Sequence, residues 1–138
     1  DNDGNAATVV SSAFTIDTVP PTLTISSPTA GFITNKAALN VTGKTNDATS
    51  SPITLTMTLN GTSLGTVTVG SDGSFTKAVT LAEGTNSIVV TAKDGAGQTT
   101  SITLSVKLDT TVPELKGITL SPNPVSTSAS VAITVEVS

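Results

Sequence analysis

Aliphatic and hydroxyl side chains alternate along most of this chain. Ile53-Thr54-Leu55-Thr56-Met57-Thr58-Leu59 does so without a break, which is the period of a strand with one face on a core and the other in water. Asn60-Gly61 follows and predicts a type I′ hairpin, because both central positions of that turn need positive φ. Val67 and Val69 belong to the return strand. Ser71-Asp72-Gly73-Ser74 turns the chain again, and Phe75 to Leu81 forms the next strand. After Ala82-Glu83-Gly84-Thr85, the residues Ile88, Val90 and Ala92 share one face. Asp94-Gly95-Ala96-Gly97 is a further turn, and Ile102, Leu104, Val106 and Leu108 line the strand after it. Upstream, Leu23 with Ile25 and Leu39 with Val41 mark two more strands. No stretch carries a helical period. The pattern predicts an all-β fold of seven or eight short strands with turns every 8–12 residues, and the prolines fall at strand ends and linkers, where no ladder donor is lost.

The chain also repeats itself. Residues 1–26 align with residues 94–121, so that Asp1, Gly4, Asp17, Pro21 and Leu23 match Asp94, Gly97, Asp109, Pro113 and Leu115. The period is about 92–93 residues, the size of a small β-sandwich. Residues 18–109 are then one whole repeat. Residues 1–17 hold the last strand of a preceding repeat and its linker, and residues 110–138 a linker and the first two strands of a following one. The pattern predicts a stretch of a tandem array.

Composition narrows the chemistry. Among 138 residues there is no Cys, His, Trp, Tyr or Arg. Imidazole bases, thiolates, zinc cages and disulfides are therefore excluded. Ten acidic groups against six lysines give a net charge of −4, which with no guanidinium fork and almost no aromatics argues against a nucleic-acid partner. No apolar run approaches the roughly 20 residues of a membrane-spanning helix. With charged residues at 12% and hydrophobic ones at 36%, the chain is too apolar for an acidic disordered segment. Serines and threonines abound, but with no His in the chain none has an imidazole base. Three glutamates leave little for a paired-carboxylate glycosidase cleft, so no enzymatic activity is expected.

The order of the motifs resembles the bacterial immunoglobulin-like domains that occur in tandem on adhesins, S-layer proteins and multidomain secreted glycosidases. The carrying residues are Asp17-Thr18-Val19-Pro20-Pro21, Leu59-Asn60-Gly61, Asp72-Gly73-Ser74-Phe75, Glu83-Gly84-Thr85-Asn86-Ser87-Ile88 and the Asp94 to Gly97 turn. Gln98 departs from the Asn usual after that last turn, while the first copy keeps Asn5. The resemblance implies an Ig-like antiparallel β-sandwich in an extracellular, cell-surface or cell-wall protein. It implies a non-catalytic spacer giving length and stiffness, with the adjacent repeats as its partners. The alternatives are a self-assembling S-layer or filament subunit that exchanges strands, and a carbohydrate-binding accessory module of a secreted glycosidase.

Calcium is the one cofactor for which such a sandwich offers a geometric argument. Its first-strand approach, its loop between second and third strands and its loop before the last strand share one pole, which would gather Asp17, Asp47 and Asp94. Asp109 would repeat the part of Asp17 for the following domain. Clustered carboxylates repel, and a hard cation with oxygen ligands relieves the repulsion. The competing reading makes the same aspartates ordinary turn and linker residues. For sugar binding the sequence offers only Phe14, Phe32 and Phe75 as stacking platforms; Phe75 is in strand phase and is expected in the core, and Phe32 is expected to plug one end of the sandwich. Asn40 and Asn60 match the N-glycosylation pattern, and Asn60 is better explained by its turn.

Overall fold

A computed structural model describes residues 16–46, 52–121 and 132–137. The alternation read from the sequence becomes ten strands, with no helix among the described residues. These are β1 (Thr22–Ser27), β2 (Phe32–Thr34), β3 (Ala38–Asn46), β4 (Thr54–Leu59), β5 (Thr62–Val67), β6 (Ser74–Thr80), β7 (Gly84–Lys93), β8 (Thr99–Leu108), β9 (Leu115–Ser121) and β10 (Ala132–Val137). Sheet order is β1-β3-β6 in one layer and β2-β8-β7-β4-β5 in the other, with β9 and β10 as a separate antiparallel pair. All pairings are antiparallel except that of β2 with β8.

The two layers enclose one core because the period-2 faces meet. Leu23, Val41, Phe75 and Val79 come from the three-stranded sheet, and Leu55, Met57, Ile88, Val90, Leu104 and Val106 from the five-stranded one; all are buried. Phe75 sits opposite Gly43 on the neighbouring strand, where a Cβ would stand 2.7 Å from the ring's Cζ. The ring lies over the bare glycine backbone and fills the space a side chain would take. Asn60 and Gly61 have φ of 52° and 80°, as the hairpin requires.

Three details differ from the sequence reading. Strand β5 ends at Val67, and Val69 makes only an isolated bridge to Phe75. A three-residue strand, β2, was not expected; Phe32-Ile33-Thr34 is too short to show alternation, and it exists because the chain crosses to the second sheet and pairs with β8. Phe32 is therefore a sheet-edge residue, 39% exposed, instead of a plug. The strand anticipated within residues 8–16 falls almost wholly outside the described residues.

Candidate functional site

Of the candidate aspartates, Asp94 and Asp109 lie at opposite ends of the sandwich. Asp94 closes β7 and opens the hairpin to β8. Its Oδ1 accepts the Gln98 N–H at 2.8 Å, and its backbone N–H and carbonyl bond Gln98 and Gly97 within the same turn. The residue is 5% exposed, and its Oδ2 has no hydrogen-bond partner. Nearby, the Thr100 hydroxyl donates to the Pro21 carbonyl at 2.6 Å, which fixes the approach to β1 at this end. Asp17 stands four residues upstream, its Oδ1 accepting the Val19 N–H at 3.0 Å. A shallow open depression of about 270 Å³ lies between Thr45, Asn46, Ile53, Val69, Gly70 and Ser71, and none of the described residues that line it is charged.

Asp109 lies at the other end. Lys93 pairs with Thr99 at one limit of the β7–β8 ladder and Gly84 with Leu108 at the other, so ten strand residues, roughly 30 Å at the usual rise, separate Asp94 from Asp109. The Asp109 carboxylate is held by its own turn. The Thr111 hydroxyl and backbone N–H donate to Oδ1, and Lys107 Nζ donates to Oδ2 at 3.0 Å. The Thr111 hydroxyl foremost, and Lys107 after it, lower the pKa to about 2. Among the described residues no three acidic side chains gather at a spacing that could hold a metal ion; Asp47 lies outside them.

The chain leaving the sandwich is fastened at the Asp109 end. The Asp109 N–H donates to the Thr34 carbonyl at 2.9 Å. Glu83, in the loop before β7, accepts the Thr110 N–H on Oε1 at 3.2 Å and the Thr110 hydroxyl on Oε2 at 2.8 Å. The sequence reading treated Glu83 only as part of a family motif. Its reach across to residue 110 depends on β2, β7 and β8 coming together, which local pattern cannot show.

The outer face of the five-stranded sheet carries hydroxyls. Thr66, Thr56, Thr91 and Ser101 form one cross-strand row, and the last two share a hydrogen bond of 2.8 Å. Phe75 is 3% exposed and is closed to any ligand; Phe14 lies outside the described residues. Asn60 is held in its turn by bonds to Ser87 and Asn86.

Two solved structures share the fold. One, of the fibronectin(III)-like modules of Clostridium thermocellum CbhA, superposes with a TM-score of 0.54 at 18% identity, covering 66% of this chain and 47% of that one. The other, the endo-beta-1,4-mannanase of Thermotoga petrophila, gives 0.56 at 13% identity, covering 67% of this chain and 20% of the enzyme. The chain thus matches less than half the length of either. No curated protein matches it in sequence. The family model for glucodextranase, domain B, matches residues 21–110, from the proline that takes the Thr100 hydrogen bond to the threonine held by Glu83. The whole sandwich falls within that span, and the chain belongs to the glucodextranase domain B family.

Proposed function

We propose that this chain is a non-catalytic accessory domain of a secreted, glycosidase-type bacterial protein, and that its work is to hold a neighbouring module at a set distance and direction. The observation that carries this reading is the double attachment of the outgoing linker to the sandwich, by Thr34 and by Glu83. A linker bonded through consecutive residues 109 and 110 and followed by Pro113 has little freedom at its root. Membership of the glucodextranase domain B family supports a place beside a catalytic unit, and the total lack of His and Cys supports the non-catalytic assignment. An extracellular setting fits both.

The test is backbone 15N relaxation on the chain and on Glu83→Ala. Residues 109–111 should tumble with β7 and β8 in the wild type and gain fast motion in the variant, with at most a few degrees lost in Tm. Independent motion of these residues in the wild type would refute the spacer reading.

A second reading, as a glycan-binding module, draws on the Thr66-Thr56-Thr91-Ser101 row, an uncharged hydroxyl strip suited to a neutral polysaccharide. Depletion of the protein by insoluble glucans, lost in Thr56→Lys and Thr91→Lys, would favour it; no depletion would dismiss it.

A further inference from the structure

The pairing of β9 with β10 coincides with that of β1 with β3 at two points. Leu23 faces Thr45 and Ser27 faces Thr42; Leu115 faces Val137 and Thr119 faces Thr134. Each residue of the second set stands 92 positions after its counterpart (115 after 23, 137 after 45, 119 after 27, 134 after 42). Both pairs contain one irregularity between those points, after Ile25 in β1 and after Leu115 in β9, so the first strand spends four residues where its partner spends three, and the pairs in between are offset by one residue (Ile25 with Gly43, Gly117 with Glu136). The linkers agree as well. Asp17 Oδ1 accepts the N–H two residues on, from Val19, and Asp109 Oδ1 accepts that of Thr111.

The two pairs differ in what covers them. In β3, Val41 and Thr45 are 0% and 2% exposed beneath the five-stranded sheet. Ile133, which stands 92 positions after Val41, is 64% exposed. Val135 shares its face, since alternate strand residues point the same way, and so does its cross-strand partner Ile118; they are 55% and 60% exposed. A lone two-stranded hairpin is marginal in water.

We propose that β9 and β10 are the opening half-layer of a second sandwich, and that the Ile118–Ile133–Val135 face docks a β-sheet of the same build as β2-β8-β7-β4-β5, supplied within the same polypeptide. The pairs shared at both limits and the match of Ile133 with Val41 carry this, because the β3 face that holds Val41 is covered by just such a sheet. A second copy of the hairpin is a poorer occupant. Three aliphatic side chains offer on the order of a few hundred Å² per partner, short of the roughly 800 Å² of a standard stable interface, whereas a sheet tethered in the same chain docks intramolecularly and does not depend on such an area. The inference is independent of any link to a glycosidase.

The experiment extends the chain: residues 1–137 followed by a second copy of residues 46–109, which keeps the 92-residue register. Amide hydrogen exchange of β9 and β10 is compared with the 138-residue chain, with β7 and β8 of the first sandwich as internal reference. The expected result is fast exchange of β9 and β10 in the 138-residue chain, at least 100-fold slower exchange in the extended chain, and loss of that gain in extended Ile133→Asp. Sedimentation should report monomers throughout. Unchanged exchange on extension would overturn the proposal, as would protection that survives Ile133→Asp or that is already present in the monomeric 138-residue chain. Protection of the 138-residue chain that disappears on dilution would replace the tethered sheet by a second copy.

Discussion

The Asn60 side-chain amide donates to the Asn86 Oδ1 at 2.9 Å, joining the turn between β4 and β5 to the start of β7. Asn86 is completely buried. Its Oδ1 also accepts the Ala82 N–H at 2.9 Å, and its Nδ2 donates to the Ala82 and Gly84 carbonyls at 2.7 and 3.0 Å. Asn60 returns the tie through its Oδ1, which accepts the Ser87 N–H at 2.8 Å. One buried amide thus satisfies the backbone of a loop and locks it to a hairpin, and every polar atom that it leaves behind on deletion is costly.

Asn86→Ala should therefore destabilise the sandwich by about 2–4 kcal/mol, since it strands the Ala82 N–H, two carbonyls and the Asn60 amide. Calorimetry should show a large fall in Tm. Asn60→Ala should cost less, and the double variant should show a coupling of about 0.5–3 kcal/mol. Strict additivity of the two single effects would contradict the linkage.

Gly43→Ala should cost roughly 1–3 kcal/mol by overpacking. The new methyl would meet the Thr24 carbonyl and the Phe75 ring. Gly43→Ala combined with Phe75→Leu should recover part of the loss, because the smaller side chain vacates the space over β3. Chemical denaturation of the four proteins measures this; no recovery would place the clash entirely on the Thr24 backbone.

Acid should act on the Asp109 turn late. Its folded-state pKa, about 2, lies below the ordinary value of 3.8. A depressed carboxyl favours the folded turn above its ordinary pKa, and the contribution fades as pH falls from about 4 through 2. Carboxyl-carbon NMR should give Asp109 a midpoint near 2, and Thr111→Val should move that midpoint up toward 3.8. A midpoint unaltered by Thr111→Val would remove the hydroxyl as the main cause.

Lys77 lies opposite Val41 on β6, an outer strand of its sheet, in the phase that faces the core. An inward-phased lysine on an edge strand hinders edge-to-edge pairing. Lys77→Val should leave the melting temperature unchanged or slightly raised, while light scattering during prolonged incubation grows faster than for the wild type. Equal scattering would leave Lys77 without a protective part.

Much of this architecture was legible locally. The Ile53 to Leu59 run, the Asn60-Gly61 turn and the Ile88 to Ala92 and Ile102 to Leu108 faces stand where alternation put them, because a period of two allows only one face to be buried. Strand β2 was not legible, since three residues have no measurable period and their pairing with β8 is non-local. Asn86 was recognised as part of a motif, but its burial was not, since its tie to Asn60 joins turns 26 residues apart.

The candidate site shows the same division. Sequence identified Asp17, Asp94 and Asp109 as turn and linker residues with oxygen ligands to offer, and the 92-residue spacing related Asp17 to Asp109. Only the tertiary structure left Asp94 Oδ2 buried without a partner and brought Glu83 onto Thr110. The sequence by itself determined the all-β class, the strand faces and the turns, because these depend on side-chain chemistry within a few residues. Sheet order, the crossing to β2, the Asn60–Asn86 tie and the fastening of the outgoing linker depend on contacts between residues far apart in the chain, and only folding in three dimensions decided them.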